Sequence, residues 1–132
     1  MASEDPIFSA FKSRSGLLRV AGAMRYSLAG LASAWKHEHA FRQELCVIVP
    51  AVVVALLLPV TALKKLLLGS TMVLVLVVEL LNSAIEAVVD RVSLERHPLS
   101  KNAKDFGSAA VMLSVLLAVV AWAVVLWGVF VT

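Results

Sequence analysis

The feature that most constrains this chain is a series of polar residues inside a long apolar stretch. The series comprises Glu79, Asn82, Ser83, Glu86 and Asp90. At about 100° per residue, Glu86 and Asp90 each lie within roughly 20° of Glu79 around a helix. Each ionisable side chain near a bilayer centre costs about 2.5–3.5 kcal/mol on insertion, so such residues usually face a bundle interior and are functional. A purely adhesive role between helices needs only one Asn or Ser, and the three acids therefore predict a binding or catalytic site.

The composition predicts an all-α membrane protein. The chain has 132 residues, of which 61% are hydrophobic, too apolar for a soluble domain of this size and too short for more than one domain. Residues 45–63, 66–89 and about 106–131 are each long enough to cross ~30 Å of hydrocarbon. No long apolar segment precedes residue 37, so we expect no cleaved signal peptide.

The basic residues predict the orientation in the membrane. Six of the twelve precede the first predicted span, four lie between the second and third, and only Lys64 and Lys65 lie between the first and second. Because basic loops stay in the cytoplasm, the N-terminus and the loop at about residues 90–105 are predicted to be cytoplasmic. The net charge of +3 then mainly sets topology, and no nucleic-acid partner is expected. With Cys46 as the single cysteine, a disulfide within the chain and a cysteine zinc site are excluded.

Two segments precede the first predicted span. Residues 1–15 lack periodicity and are predicted to be a flexible tail. From about residue 16 to 44, apolar side chains recur at helical spacing between charged ones, which predicts a surface helix with Trp35 and Phe41 in the acyl boundary. An ordinary anchor helix is the alternative. Glu38 and Glu44 favour a functional role, because acids gain nothing from an anionic leaflet.

The loop before the third predicted span places basic side chains beside acidic ones. Carboxylates hold Mg²⁺ and ammonium groups meet phosphate oxygens, so this segment could bind a polyphosphate and its cation. A merely solvated loop is the alternative. The small residues 107–110 fit close helix packing as well as a ligand contact. Phosphate-loop, protein-kinase glycine-loop and Ser-His-Asp patterns are absent from the sequence. The residues alone thus predict an acidic site of Mg²⁺-binding type, facing the cytoplasm, without naming a substrate.

Three motifs carry a family resemblance. Residues 79–91 (ELLNSAIEAVVDR), 97–111 (HPLSKNAKDFGSAAV) and 40–44 (AFRQE) resemble the signature of the prokaryotic diacylglycerol kinases, and the similarity covers about residues 19–127. Undecaprenol-phosphorylating relatives share the Glu-x-x-Asn-x-x-x-Glu core, but this chain is more similar to the Gram-negative diacylglycerol class. Lys65 and Leu57 depart from the pattern, where the family has Arg and Trp.

The resemblance implies a function and an assembly. It implies ATP-dependent phosphorylation of diacylglycerol to phosphatidic acid at the cytoplasmic interface of the bacterial inner membrane, with ATP and Mg²⁺ as cofactors. It also implies a homotrimer of three-span subunits whose active sites form between subunits. Two alternatives remain open at this point: an undecaprenol kinase with the same chemistry, and a non-enzymatic oligomeric channel or scaffold with an acidic lumen.

The resemblance also implies roles for single residues. Glu79 matches the general base that takes the proton of the lipid hydroxyl, and Asn82 matches a neighbour that helps to hold the site. Glu38 and Glu86 match the carboxylates that coordinate the metal on the ATP phosphates. The other positions expected to contact the nucleotide are Tyr26, Glu95, His97, Lys104 and Asp105. The other positions expected near the lipid are Arg19, Trp35, Phe41, Arg42, Gln43, Glu44 and Ser108.

Overall fold

The computed structural model describes residues 16–131, and it consists of four α-helices joined by short connections. These are α1 (Gly16–His37), α2 (His39–Leu57), α3 (Ala62–Val92) and α4 (Pro98–Phe130). Within this described range no residue is in a strand. Helices α2, α3 and α4 are each long and apolar enough to cross a membrane, so the predicted all-α class with three spans is confirmed. The predicted flexible tail at residues 1–15 lies outside the described residues.

The chain divides into two compact units after His37. In the first unit, the described residues form α1, on which apolar side chains such as Leu17, Val20 and Leu28 are exposed between basic ones. The helix predicted for residues 16–44 is instead interrupted at Glu38, which adopts an extended backbone with φ −100° and ψ 111°. Periodicity missed this break because a single extended residue leaves the apolar spacing on either side almost unchanged.

The second unit contains α2, α3 and α4, and its first turn lies at residues 58–61. Helix α2 ends at Leu57 rather than at residue 63, because Leu58 precedes Pro59 and is held in the extended region with ψ 140°. Thr61 then caps α3 by accepting a hydrogen bond from the Lys64 backbone N–H at 3.4 Å. Helix α3 therefore begins at Ala62, four residues earlier than predicted.

The connection between α3 and α4 is much shorter than the predicted loop at residues 90–105. Helix α3 continues to Val92 and α4 begins at Pro98, with proline at the helix start and His97 as the cap. The His97 Nδ1 accepts a hydrogen bond from the Leu99 backbone N–H at 3.2 Å. Helices of 31 and 33 residues measure about 46 and 50 Å, which is longer than ~30 Å of hydrocarbon. The charged ends of these two helices can therefore lie outside the apolar layer.

Helix α3 packs against both α2 and α4, and each helix contributes one residue to each of two buried apolar layers. One layer contains Ile48, Val75 and Ala118. The other layer contains Ala55, Leu68 and Val125. The outward faces of the three helices carry many exposed apolar side chains, as expected for surfaces that meet lipid. The buried face of α3 continues from the apolar layers to the acidic residues that follow.

Candidate active site

Glu79 lies on the buried face of α3. The buried residues of this helix are Leu68, Thr71, Val75 and Glu79, which recur every three or four residues and so share one side. Glu79 is 5% exposed, and it is the single buried charged residue among residues 16–131. The buried hydroxyls of Thr71 and Ser114 donate to carbonyls of their own helices, whereas a carboxylate needs a partner from elsewhere. Glu79 is therefore the most unusual buried group of the described chain.

Four carboxylates, which we call the carboxylate cluster, gather around this position. Glu38 precedes the first residue of α2, Glu44 lies on α2, and Glu79 and Glu86 lie on α3. The negative charges of Glu86 and Glu38 both act on Glu79, and that of Glu79 acts on Glu44. The Oε2 atom of Glu44 is buried and has no hydrogen-bond partner. Like charges held together repel, and a bound cation or a proton relieves the repulsion.

The carboxylate cluster offers oxygen donors, the ligand type that Mg²⁺ takes in proteins. Among the described residues, no group of three or more His, Cys, Asp or Glu side chains is arranged to hold a metal ion. Mg²⁺ is commonly bound through one or two carboxylates, with the remaining positions filled by water and substrate phosphates. Glu38 and Glu86 could therefore contribute to a magnesium site that is completed by a polyphosphate.

Asn82 connects the cluster to α4. Its Nδ2 donates a hydrogen bond to Glu86 Oε1 at 3.3 Å. Its Oδ1 is buried without a hydrogen-bond partner and lies directly against Gly107. A Cβ on residue 107 would overlap this oxygen and lie 3.2 Å from Asn82 Cγ, so α4 can approach here only because residue 107 is glycine.

A cavity of about 810 Å³ lies beside the turn between α3 and α4. Its volume is in the range of small-molecule sites. Lys104 Nζ donates to Asp90 Oδ1 at 2.7 Å, and Lys101 pairs with Asp105 one turn apart on α4. The lining residues are Val89, Asp90, Ser93, Leu94, Glu95, Arg96, His97, Pro98, Ser100, Lys101, Lys104 and Asp105. The cavity thus presents both charge signs, with Lys104 also in the field of Glu86.

A second cavity, of about 330 Å³, lies between α2, α3 and α4 and has an almost entirely apolar wall. Gln43 and Glu44 line it, and so does Trp122, whose buried Nε1 has no hydrogen-bond partner. The remaining lining residues are Val47, Ile48, Met72, Val75, Val115, Ala118 and Val119. The wall of this cavity therefore offers many apolar and few polar contacts.

The structure brings together two groups of the predicted site residues. Glu38, Glu44, Glu79 and Glu86 form the carboxylate cluster, to which Asn82 is hydrogen-bonded. The positions predicted to contact a nucleotide that line the larger cavity are Glu95, His97, Lys104 and Asp105. His97 has a further task as the cap of α4.

The other predicted positions lie outside these two groups. Arg19, Tyr26 and Trp35 are exposed residues of α1, in the first compact unit. Phe41 is buried at 3% exposure. Arg42 contacts the His39 Nδ1 atom through its guanidinium at 2.7 Å, Gln43 lines the smaller cavity, and Ser108 is exposed on α4.

Three features of the site were not predicted from the sequence. Gly107 stood out only as part of a small-residue run, without its contact to Asn82. The pairing of Asp90 with Lys104 joins residues on two helices and has no local sequence signal. Trp122 lies in an apolar span, where an aromatic residue is unremarkable by pattern.

Comparisons with known proteins identify relatives of this chain. The family model described as prokaryotic diacylglycerol kinase matches residues 25–126. The chain is 50% identical to the diacylglycerol kinase of Escherichia coli (strain K12) over 116 residues, covering 88% of this chain and 95% of that protein. It is 52% identical to the diacylglycerol kinase of Pseudomonas aeruginosa over 120 residues, covering 91% and 98%. The corresponding protein of Haemophilus influenzae is 41% identical over 116 residues, covering 86% and 96%. The predicted resemblance is confirmed, and this chain belongs to the prokaryotic diacylglycerol kinase family.

Proposed function

We propose that this protein transfers the γ-phosphoryl group of ATP to the primary hydroxyl of diacylglycerol, giving phosphatidic acid and ADP. The observation that carries the proposal is the buried Glu79 within a cluster of carboxylates in a bundle of membrane-spanning helices. The larger cavity, with Lys104 on its wall, lies at the end of the same helices. The names of the relatives, diacylglycerol kinase, supply the acceptor.

Glu79 is the proposed general base. Its carboxylate accepts the proton of the lipid hydroxyl while the hydroxyl oxygen forms a bond to the γ-phosphorus. The bond between that phosphorus and the oxygen bridging to the β-phosphate breaks, and ADP leaves with the electron pair. Burial of Glu79 keeps bulk water away, so the lipid hydroxyl rather than water is the acceptor.

The larger cavity is the proposed nucleotide site. The Lys104 ammonium meets phosphate oxygens, and Glu95, His97 and Asp105 lie around the remainder of the nucleotide. Tyr26 of α1 is the further proposed nucleotide contact. Phosphoryl transfer depends mainly on positioning and charge neutralisation, which a small helical site of this kind can provide.

Glu38 and Glu86 are the proposed protein ligands of Mg²⁺. When bound, Mg²⁺ neutralises the negative charge of the phosphates and of the carboxylates around them. Asn82 orients the Glu86 carboxylate through its hydrogen bond, and Gly107 leaves the space in which Asn82 does so.

The smaller cavity is the proposed location of part of an acyl chain. Its apolar wall suits a hydrocarbon segment, and Glu44 and Gln43 supply polar groups for the glycerol end. The further proposed lipid-side positions are Arg19, Trp35, Phe41, Arg42 and Ser108.

The proposed setting is the bacterial inner membrane, with the N-terminus and the turn at residues 93–97 on the cytoplasmic side, where ATP is present. The distribution of basic residues supports this orientation. An oligomer is proposed because three helices cannot enclose an acidic stripe on every side. The family resemblance implies that this oligomer is a homotrimer.

The experiment that tests the function is transfer of radiolabelled phosphate from γ-labelled ATP in detergent micelles. Purified protein is incubated with Mg²⁺ and either short-chain diacylglycerol, undecaprenol or no lipid, and the labelled lipid is separated from ATP. Faster labelling of diacylglycerol supports the proposal. Faster labelling of undecaprenol would make the polyprenol the acceptor, and no labelling of either lipid by folded protein would favour the channel or scaffold alternative.

A further inference from the structure

Asp90 belongs to the polar series of α3 but has no role in the proposed chemistry. Its Oδ1 accepts a hydrogen bond from Lys104 Nζ at 2.7 Å, across the turn between α3 and α4. Both residues line the larger cavity. The pair therefore lies at the wall where the nucleotide phosphates are proposed to bind.

The energetics argue against a mainly stabilising role for this ion pair. The side chains of Asp90 and Lys104 are 52% and 41% exposed, and ion pairs this accessible typically contribute little to folding stability. The close approach of Gly107 to Asn82 already joins α3 and α4 nearby. Removing the pair should therefore leave the fold intact.

The ion pair restricts the position of the Lys104 ammonium. A lysine side chain is a point charge on a flexible four-carbon stem and loses substantial rotamer freedom when it is fixed. Glu86, one turn before Asp90 on α3, also attracts Lys104. Without Asp90, the ammonium would be freer to move away from the cavity wall or to pair with Glu86.

We propose that Asp90 is a positioning residue that holds the Lys104 ammonium at the wall of the nucleotide cavity and keeps it from neutralising Glu86. This inference rests on the proposed function. It assigns a task to a residue that neither touches the reacting atoms nor contributes to the buried core. The carboxylate is released, or shared, when phosphate oxygens arrive at the ammonium.

The first test compares Asp90→Asn with the wild type in steady-state assays that vary ATP and diacylglycerol separately. The amide keeps the size but loses the charge, and we expect kcat/KM for ATP to fall about tenfold, a loss typical of a charge-assisted contact. The KM for diacylglycerol should remain unchanged, because the lipid does not meet Lys104. Asp90→Glu should recover much of the loss, and Lys64→Gln, which removes an exposed lysine at the opposite end of α3, should stay within about twofold of wild type.

The decisive test is a double-mutant cycle with Lys104→Gln. If Asp90 acts through Lys104, adding Asp90→Asn to Lys104→Gln should cause no further loss. ATP binding measured by calorimetry on all four proteins gives the same cycle where turnover is too slow to follow. Thermal unfolding confirms that the variants are folded, and Asp90→Glu provides the comparison should Asp90→Asn fail to fold.

Each result decides the matter. An unchanged kcat/KM for ATP in Asp90→Asn, additive losses, an equal rise in the KM for diacylglycerol, or higher activity in Asp90→Asn would overturn the positioning role while leaving the kinase proposal intact. Absence of ATP-dependent lipid phosphorylation in the wild-type protein would overturn the proposed function, and this inference with it.

Discussion

The Asn82 side chain lies directly against the backbone of Gly107, where α3 and α4 approach each other closely. The same amide donates a hydrogen bond to Glu86 Oε1 at 3.3 Å. The distance between α3 and α4 at this contact therefore determines where the Glu86 carboxylate points. A side chain on α4 that displaces Asn82 would therefore also displace the Glu86 carboxylate.

We predict that Gly107→Ala lowers kinase activity at least tenfold without unfolding the protein. A tenfold loss corresponds to about 1.4 kcal/mol of transition-state stabilisation. The added methyl group overlaps Asn82 Oδ1, so Asn82 must turn away and release Glu86. Activity in detergent and thermal unfolding, measured on the same preparation, check the prediction.

Gly69→Ala is the matched control. A Cβ at residue 69 meets nothing within 4 Å, and the substitution lies on α3 at a distance from the cluster along the helix. Alanine in a helix interior is usually slightly favourable relative to glycine, so this variant should keep its activity. Equal activity of Gly107→Ala and Gly69→Ala would show that the Asn82 contact has no influence on catalysis.

The helical class and the three spans were predictable because they depend on composition and on the periodicity of single segments. The helix ends were not, because short-range backbone effects set them. Pro59 ends α2 earlier than predicted. His97 and Pro98 begin α4 within residues 90–105, a segment whose many charged residues favoured a loop.

The acidic side of α3 was predictable for a similar reason. Glu79 and Glu86 are seven residues apart, and the geometry of one helix fixes their relation. The contacts of Asn82 with Gly107 and of Asp90 with Lys104 depend instead on the rotation and height of α3 relative to α4. No pattern within a single segment encodes those two quantities.

We predict that Glu79→Gln abolishes turnover while the protein stays folded. Glutamine preserves the volume at this 5% exposed position but cannot accept the hydroxyl proton, and loss of a general base typically costs roughly 10²–10⁴-fold. The rate of phosphate transfer at saturating ATP and lipid is the measurement. A purified variant that retains more than about a tenth of the wild-type rate would exclude Glu79 as the base.

We predict that Glu38→Gln and Glu86→Gln each raise the Mg²⁺ concentration needed for half-maximal activity. A metal held by few protein carboxylates binds more weakly when one of them becomes neutral. Activity is titrated with Mg²⁺ at saturating ATP, with Lys64→Gln as a charge-changing control at the opposite end of α3. An unchanged half-saturating concentration in both glutamate variants would remove these residues from the metal site.

The last prediction concerns assembly. Glu86 and Asp90 of the polar series on α3 are not fully buried in the single chain, so neighbouring subunits are expected to complete the enclosure of this series. If each site borrows residues from a neighbour, two inactive variants with different lesions should complement each other. Glu79→Gln and Lys104→Leu proteins are unfolded together, refolded into one micelle population and assayed for kinase activity.

Recovery well above either variant alone would show that Glu79 and Lys104 of one active site come from different subunits. The control is each variant refolded by itself, which should stay inactive because every site then carries the same lesion. Crosslinking establishes that mixed oligomers have formed. If they have formed and activity does not recover, the two residues act from the same subunit.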